Sequence, residues 1–146
     1  MIVVGIDGSD GARKALEFAA DEAARRDSDL RIVCAWHVPG QVYAGPVMPP
    51  IDADTFEAAM RKIAEDQASA VLRDRPQLRH ELVMRDGNAA GALVEESERA
   101  EMLVVGSRGH GGFASLLLGS VSQQCAAHSL CPVVIVPAHS RPRPAG

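Results

Sequence analysis

The sequence predicts an α/β domain, a parallel sheet covered by helices on both faces. Three observations carry that expectation. Short, continuous apolar runs rich in β-branched residues alternate with longer segments of helical periodicity, five of the former to four of the latter. The short runs lack the in–out alternation of a half-solvated strand, so both of their faces are buried. The 146 residues suffice for one domain with a real core, and no internal repeat divides them. Such alternation builds right-handed βαβ units.

The first run, IVVGI at 2–6, is a strand, and DGS turns the chain. Residues 12–26 follow as a helix with Ala12, Ala15, Leu16, Ala19, Ala20 and Ala23 on one face, capped by Ser9 or Asp10. LRIVCAWHV at 30–38 is the second strand. Residues 39–50 hold four prolines and two glycines and form no regular structure. The second helix spans 52–75, with Phe56, Met60, Ile63, Ala64, Val71 and Leu72 inward and a capping box expected from Asp54 and Glu57. HELVMR at 80–85 is the third strand, followed by the turn DGN and a helix over about 89–100. MLVVG at 102–106 is the fourth strand, 120–129 the last helix and PVVIVP at 132–137 the fifth strand. The tail 139–146 has the composition of disorder.

Composition excludes several functions. Apolar residues make up 47% of the chain but aromatics only 3%, and the net charge is −4. That argues against nucleic acid and against an anionic membrane surface. No apolar run approaches the ~18 residues of a membrane span, and the N-terminus lacks a signal peptide's basic start. The three cysteines, Cys34, Cys125 and Cys131, form no C-x-x-C pair and read as free thiols of a reducing cytosol. His37, His80, His128 and His139 have no metal-ligand spacing, which leaves them as surface or satisfied histidines.

Charge is unevenly spread. All 19 acids precede residue 102, whereas residues 102–146 carry Arg108, Arg141 and Arg143 and no acid. That stretch also holds VVGSRGHGGFASLLLGS at 104–120, with five glycines. A P-loop is absent, because no glycine precedes a lysine. A G-x-G-x-x-A string occurs at 109–114, but it follows the fourth strand and has no acid downstream to hold a ribose. A third pattern is Gly106-x₂-Gly109-x₉-Gly119-Ser120, which opens on a strand end and closes on a helix start. Gly106 and Gly109 admit a ligand close to the backbone and allow positive φ. Gly119 and Ser120 place N–H groups and a hydroxyl at a helix N-terminus, an anion site by geometry and dipole. A carboxylate in this stretch would repel phosphates, which accounts for the missing acids.

From VVGIDGS through LVVGSRG and LLGSVS to HSLCPVVIVP, the chain resembles the universal stress proteins, in the branch with G-x₂-G-x₉-G-[ST] that binds ATP. The resemblance implies a Rossmann-like sheet in the order 3-2-1-4-5, with strands 1 and 4 adjacent, and a nucleotide-binding domain over 1–138. It implies that Gly106, Gly109, Gly119 and Ser120 line the triphosphate and ribose; their neighbours Arg108 and Val121 are further candidates for nucleotide binding. Asp7 would stand beside the phosphates or their Mg²⁺, and Ala35 would meet the adenine. Gly87 is a looser match to a glycine turn near the site. A homodimer through the last strand, Val133–Val136, is a further implication.

Rival readings stand beside these. Asp7 either serves the site or braces the DGS turn, Ser120 either binds phosphate or caps its helix, and Arg108 either faces phosphate or water. His110, Gly111 and Gly112 read as loop surface. No nucleophile–base pair is apparent, so the expected function is a cytoplasmic, nucleotide-dependent regulator of the stress response. The alternatives are a sensor of cyclic AMP or AMP and a slow Mg²⁺-dependent ATPase.

Overall fold

A computed structural model describes residues 1–38, 52–109 and 118–138. The elements run β1 (Ile2–Ile6), α1 (Asp10–Arg26), β2 (Leu30–Trp36), α2 (Ala53–Leu72), β3 (His80–Asp86), α3 (Ala89–Ser97), β4 (Met102–Gly106), α4 (Ser120–His128) and β5 (Val133–Val136). The five strands form one sheet in the order β3-β2-β1-β4-β5, all pairs parallel. This is the expected order. The register sets Ile2 between Leu30 and Met102, and Leu103 beside Val133. Both the Pro/Gly segment 39–51 and the tail 139–146 lie outside the described residues.

The pleat sends alternate β1 side chains to opposite faces. Ile2, Val4 and Ile6 join the alanine face of α1 and the Ala64–Leu72 stripe of α2 in one core. Val3 joins Val33, Leu93, Leu103, Val105 and Cys125 under α3 and α4. Alanine recurs on α1 because the helix lies close to the sheet, where Ala15, Ala19, Ala20 and Ala23 are fully buried.

Three expectations for α2 fail, the first being its extent, since the helix ends at Leu72, three residues short of 75. Its N-cap is Asp52, whose side chain accepts from Thr55 N, so the capping box of Asp54 and Glu57 does not form. Asp52 has the extended backbone a cap needs, while Asp54 already lies in the first turn. Ile63 is 45% exposed, because the buried stripe runs through Met60, Ala64, Ala68 and Val71 and turns away from it. Elsewhere Ser9 caps α1 and Asn88 caps α3 through their side chains. The third helix ends at Ser97, three residues short of the expected span.

Candidate functional site

The strand order reverses between β1 and β4. A crevice opens beyond the carboxyl ends of strands that flank such a reversal. A cleft of about 610 Å³ occupies that place. All eight residues singled out from the sequence line it: Asp7, Ala35, Gly106, Arg108, Gly109, Gly119, Ser120 and Val121. On the β2 side its wall is apolar, from Val33, Ala35, Met60 of α2, and Ala89 and Leu93 of α3. On the β4 side it is polar, with Asp7, Ser9, Arg108, Ser120 and Ser122.

Asp7 follows β1 and does brace the turn. Its Oδ1 accepts from Ser9 N at 2.9 Å and from Ser9 Oγ. Ser9 Oγ in turn accepts from Ala12 N at 3.2 Å, capping α1. Oδ2 points the other way, toward Gly109, where a β-carbon would lie 2.5 Å from it. One carboxylate thus fixes the turn with one oxygen and lies against the glycine-rich segment with the other. Burial, aided by the negative charge of Asp7, pushes the Cys34 thiol up to about 11. Burial alone brings Cys125 to about 11. Both stay protonated at neutral pH and are poor nucleophiles.

The reason for a glycine at 106 differs from the expected one. A β-carbon there would lie 3.0 Å from the backbone C and O of Gly11 in α1. The bare Cα therefore lets the start of α1 pack on the end of β4. Gly11 answers in kind, since its own β-carbon would meet Arg108 O at 2.7 Å. Nor do Gly106 and Gly109 use positive φ; among the described residues that conformation belongs to Gly8, Gly87 and Asp27. Gly87 sits in the turn after β3 and donates to Trp36 O at 2.7 Å.

The last helix opens on Gly119, an extended N-cap with no side-chain bond. Ser120 is therefore the first helical residue and not the cap. The first-turn N–H groups of such a helix lack intrahelical acceptors and carry the positive end of its dipole. His110, Gly111 and Gly112 lie outside the described residues. His37, His80 and His128 are exposed.

Three supporting side chains escaped the sequence reading. Gln67 of α2 accepts from Gly8 N at 3.2 Å and donates to Ser9 O at 3.0 Å, clamping the DGS turn. A glutamine on the stripe of Met60, Ala64, Ala68 and Val71 was the available signal. Ser107 and Ser122 are buried and bonded to each other; a serine three residues before Cys125 on one helix face was the corresponding hint.

The model of the universal stress protein family matches residues 1–137. The chain belongs to that family. A universal stress protein of Mycolicibacterium smegmatis is 37% identical over 142 residues, 97% of this chain and 46% of the relative. The chain thus spans about half the length of that relative. Among solved structures, a universal stress protein in complex with cAMP is 30% identical, with TM-score 0.67 over 94% of this chain and 96% of that one. UspA, a universal stress protein from Lactobacillus plantarum, shares the fold at TM-score 0.77 and 21% identity, over 92% and 95% of the two chains. Among the described residues no helix of this universal stress protein is long and apolar enough to cross a membrane.

Proposed function

We propose that this chain binds ATP with Mg²⁺ and that bound nucleotide regulates its interactions during stress in the cytoplasm. The observation that carries the reading is the meeting of both ends of the Gly106–Ser120 segment at one cleft, with the start of α4 beside Asp7 and Gly109. Adenine occupies the apolar side against Ala35, Val33 and Leu93. Gly106, Arg108, Gly109, Gly119, Ser120 and Val121 surround the ribose and phosphates. A single carboxylate suits Mg²⁺, which takes one or two carboxylates together with phosphate oxygens and water. Among the described residues no group of three or more potential metal ligands offers a protein-only cage, so Asp7 and the phosphates would share the ion.

Mass spectrometry of the nucleotide released on denaturing freshly purified protein tests the reading. Stripped protein is then melted with ATP·Mg²⁺, AMP and cyclic AMP, and a ligand of the native state raises the midpoint by mass action. No shift at millimolar ATP would sink the proposal. The cAMP-bound relative supports a second reading, a sensor of cyclic AMP or AMP, and a larger shift with those ligands would select it. Single-turnover hydrolysis separates the slow-ATPase alternative from both.

The same proposal includes a homodimer. β5 is an edge strand of half-buried Val133–Val136, without a charge. An edge of this kind invites pairing, and a two-fold axis would extend two sheets antiparallel through an isologous interface. Light scattering at micromolar protein should report a dimer mass; a monomer mass overturns this part.

A further inference from the structure

Ser107 follows β4 and Ser122 lies in the first turn of α4. They are 7% and 2% exposed, and a buried hydroxyl is unfavourable unless bonded. Every polar atom of Ser107 is engaged. Its N donates to Val136 O at 2.8 Å, and its Oγ accepts from Ala138 N at 3.1 Å. Its carbonyl accepts from Gly119 N at 2.6 Å and from Ser122 Oγ at 2.9 Å. Ser122 Oγ also lies 3.0 Å from Gly119 O. One hydroxyl proton is thus shared between the carbonyl of Ser107, just after β4, and that of Gly119, the N-cap of α4.

We infer that Ser122 is a positioning residue for the anion end of the cleft. Its hydroxyl straps the first turn of α4 to the end of β4, so that Ser120 and Val121 present their N–H groups at a fixed place. The inference rests on the nucleotide reading of the cleft. Because Ser107 O consumes the Gly119 amide, the donors that face a ligand begin at Ser120. An alanine at 122 leaves the Gly119–Ser107 bond in place. What it removes is the second tie, the one that stops the helix terminus from pivoting about the first.

Calorimetry of ATP·Mg²⁺ and of adenosine on the parent, Ser122→Ala and Ser122→Thr tests this, with amide exchange at Gly119 and Gln123, whose N–H groups are bonded to Ser107 O and Gly119 O, measured without ligand. Loss of one such hydrogen bond should weaken ATP about five- to tenfold and leave adenosine unchanged. Ligand-free exchange at both amides should quicken in Ser122→Ala, and threonine, which keeps the hydroxyl, should restore both readouts. Equal losses for ATP and adenosine, or no loss of either, overturn the inference. A loss for ATP with unchanged ligand-free exchange also overturns it, since Ser122 would then touch the ligand directly. A parent that binds ATP no better than adenosine overturns the nucleotide reading itself.

Discussion

Gly109 leaves room for the carboxylate of Asp7: a β-carbon at 109 would stand 2.5 Å from Asp7 Oδ2. The two residues are 102 positions apart and meet only because β1 and β4 are neighbours. Gly109→Ala should push the carboxylate aside and weaken ATP·Mg²⁺ at least tenfold, with a stability loss of about 1 kcal/mol. In an Asp7→Ala background the same change should cost little further affinity. Additive losses in that double-mutant cycle would show that the two residues act independently.

Asp7→Asn should reduce ATP affinity more in magnesium than in EDTA. A carboxylate beside a triphosphate repels it unless a cation lies between them. Since Oδ1 also holds Ser9 N and Ser9 Oγ, some of the loss is shared by both conditions. Titrations with and without the metal measure the difference; identical losses would assign Asp7 to the turn alone.

Ser120→Ala removes a hydroxyl at the cleft and should weaken ATP by roughly ten- to a hundredfold, the worth of a bond to a charged group. Gly119 has ordinary space around it, since a β-carbon would lie 3.5 Å from Arg108 Cα and Ser107 O. Gly119→Ala should therefore fold like the parent. Gly119→Val, with two further carbons, should lose more ATP affinity than Ser120→Ala. Parent-like calorimetry for the valine variant would reassign the segment to a purely structural role.

Gly106→Ala presses on the backbone of Gly11, which cannot swing away, and overpacking of this kind costs about 1–3 kcal/mol. The melting midpoint should fall by roughly 3–10 °C. Gly5→Ala meets Leu93 Cδ1 at 2.7 Å, the mobile end of a side chain that lines the cleft. It should lose less stability and more ligand affinity. Ranking the pair in the opposite order, by calorimetric scanning and titration, would reject this division of roles.

Glu96 is 8% exposed and bonded to Arg31 and Arg85 at 2.6 Å each. Burial raises its pKa, but the hydrogen bonds and charges of the two arginines outweigh that and hold it below the ordinary carboxylate value. A carboxyl depressed in the folded state contributes stability above the unfolded value, near pH 4.3, and loses it as pH falls through the folded value. Glu96→Gln should cost about 1.5–3 kcal/mol at pH 7. In denaturant titrations the gap between parent and variant should close on acidification below about pH 4. A gap constant from pH 7 to pH 3 would rule out this linkage.

The fold was legible because its signals are local and repeated. IVVGI, LRIVCAW and MLVVG each read as doubly buried strands without reference to one another, and the alanine face of α1 is visible within four turns. The cleft was legible because its residues cluster at strand ends. What escaped was long-range. Nothing near Gly106 announces that Gly11 will press on it, and nothing near Gln67 announces the Gly8 amide 59 positions away. Asp52 won the cap over Asp54 because position, not residue type, decided between two aspartates.

The two faces of the sheet are unequally furnished. Among the described residues, eighteen buried ones form the core shared with α1 and α2, and six the core under α3 and α4. Cooperative units open in order of their buried apolar contacts, and by the described residues the α3–α4 layer is the one expected to detach first from the sheet as the molecule is loosened. Ser120 and Val121, at the start of α4, belong to that weaker layer. A ligand held there would fasten the half that parts soonest, so occupancy would be felt as a change in how the molecule comes undone more than in its shape.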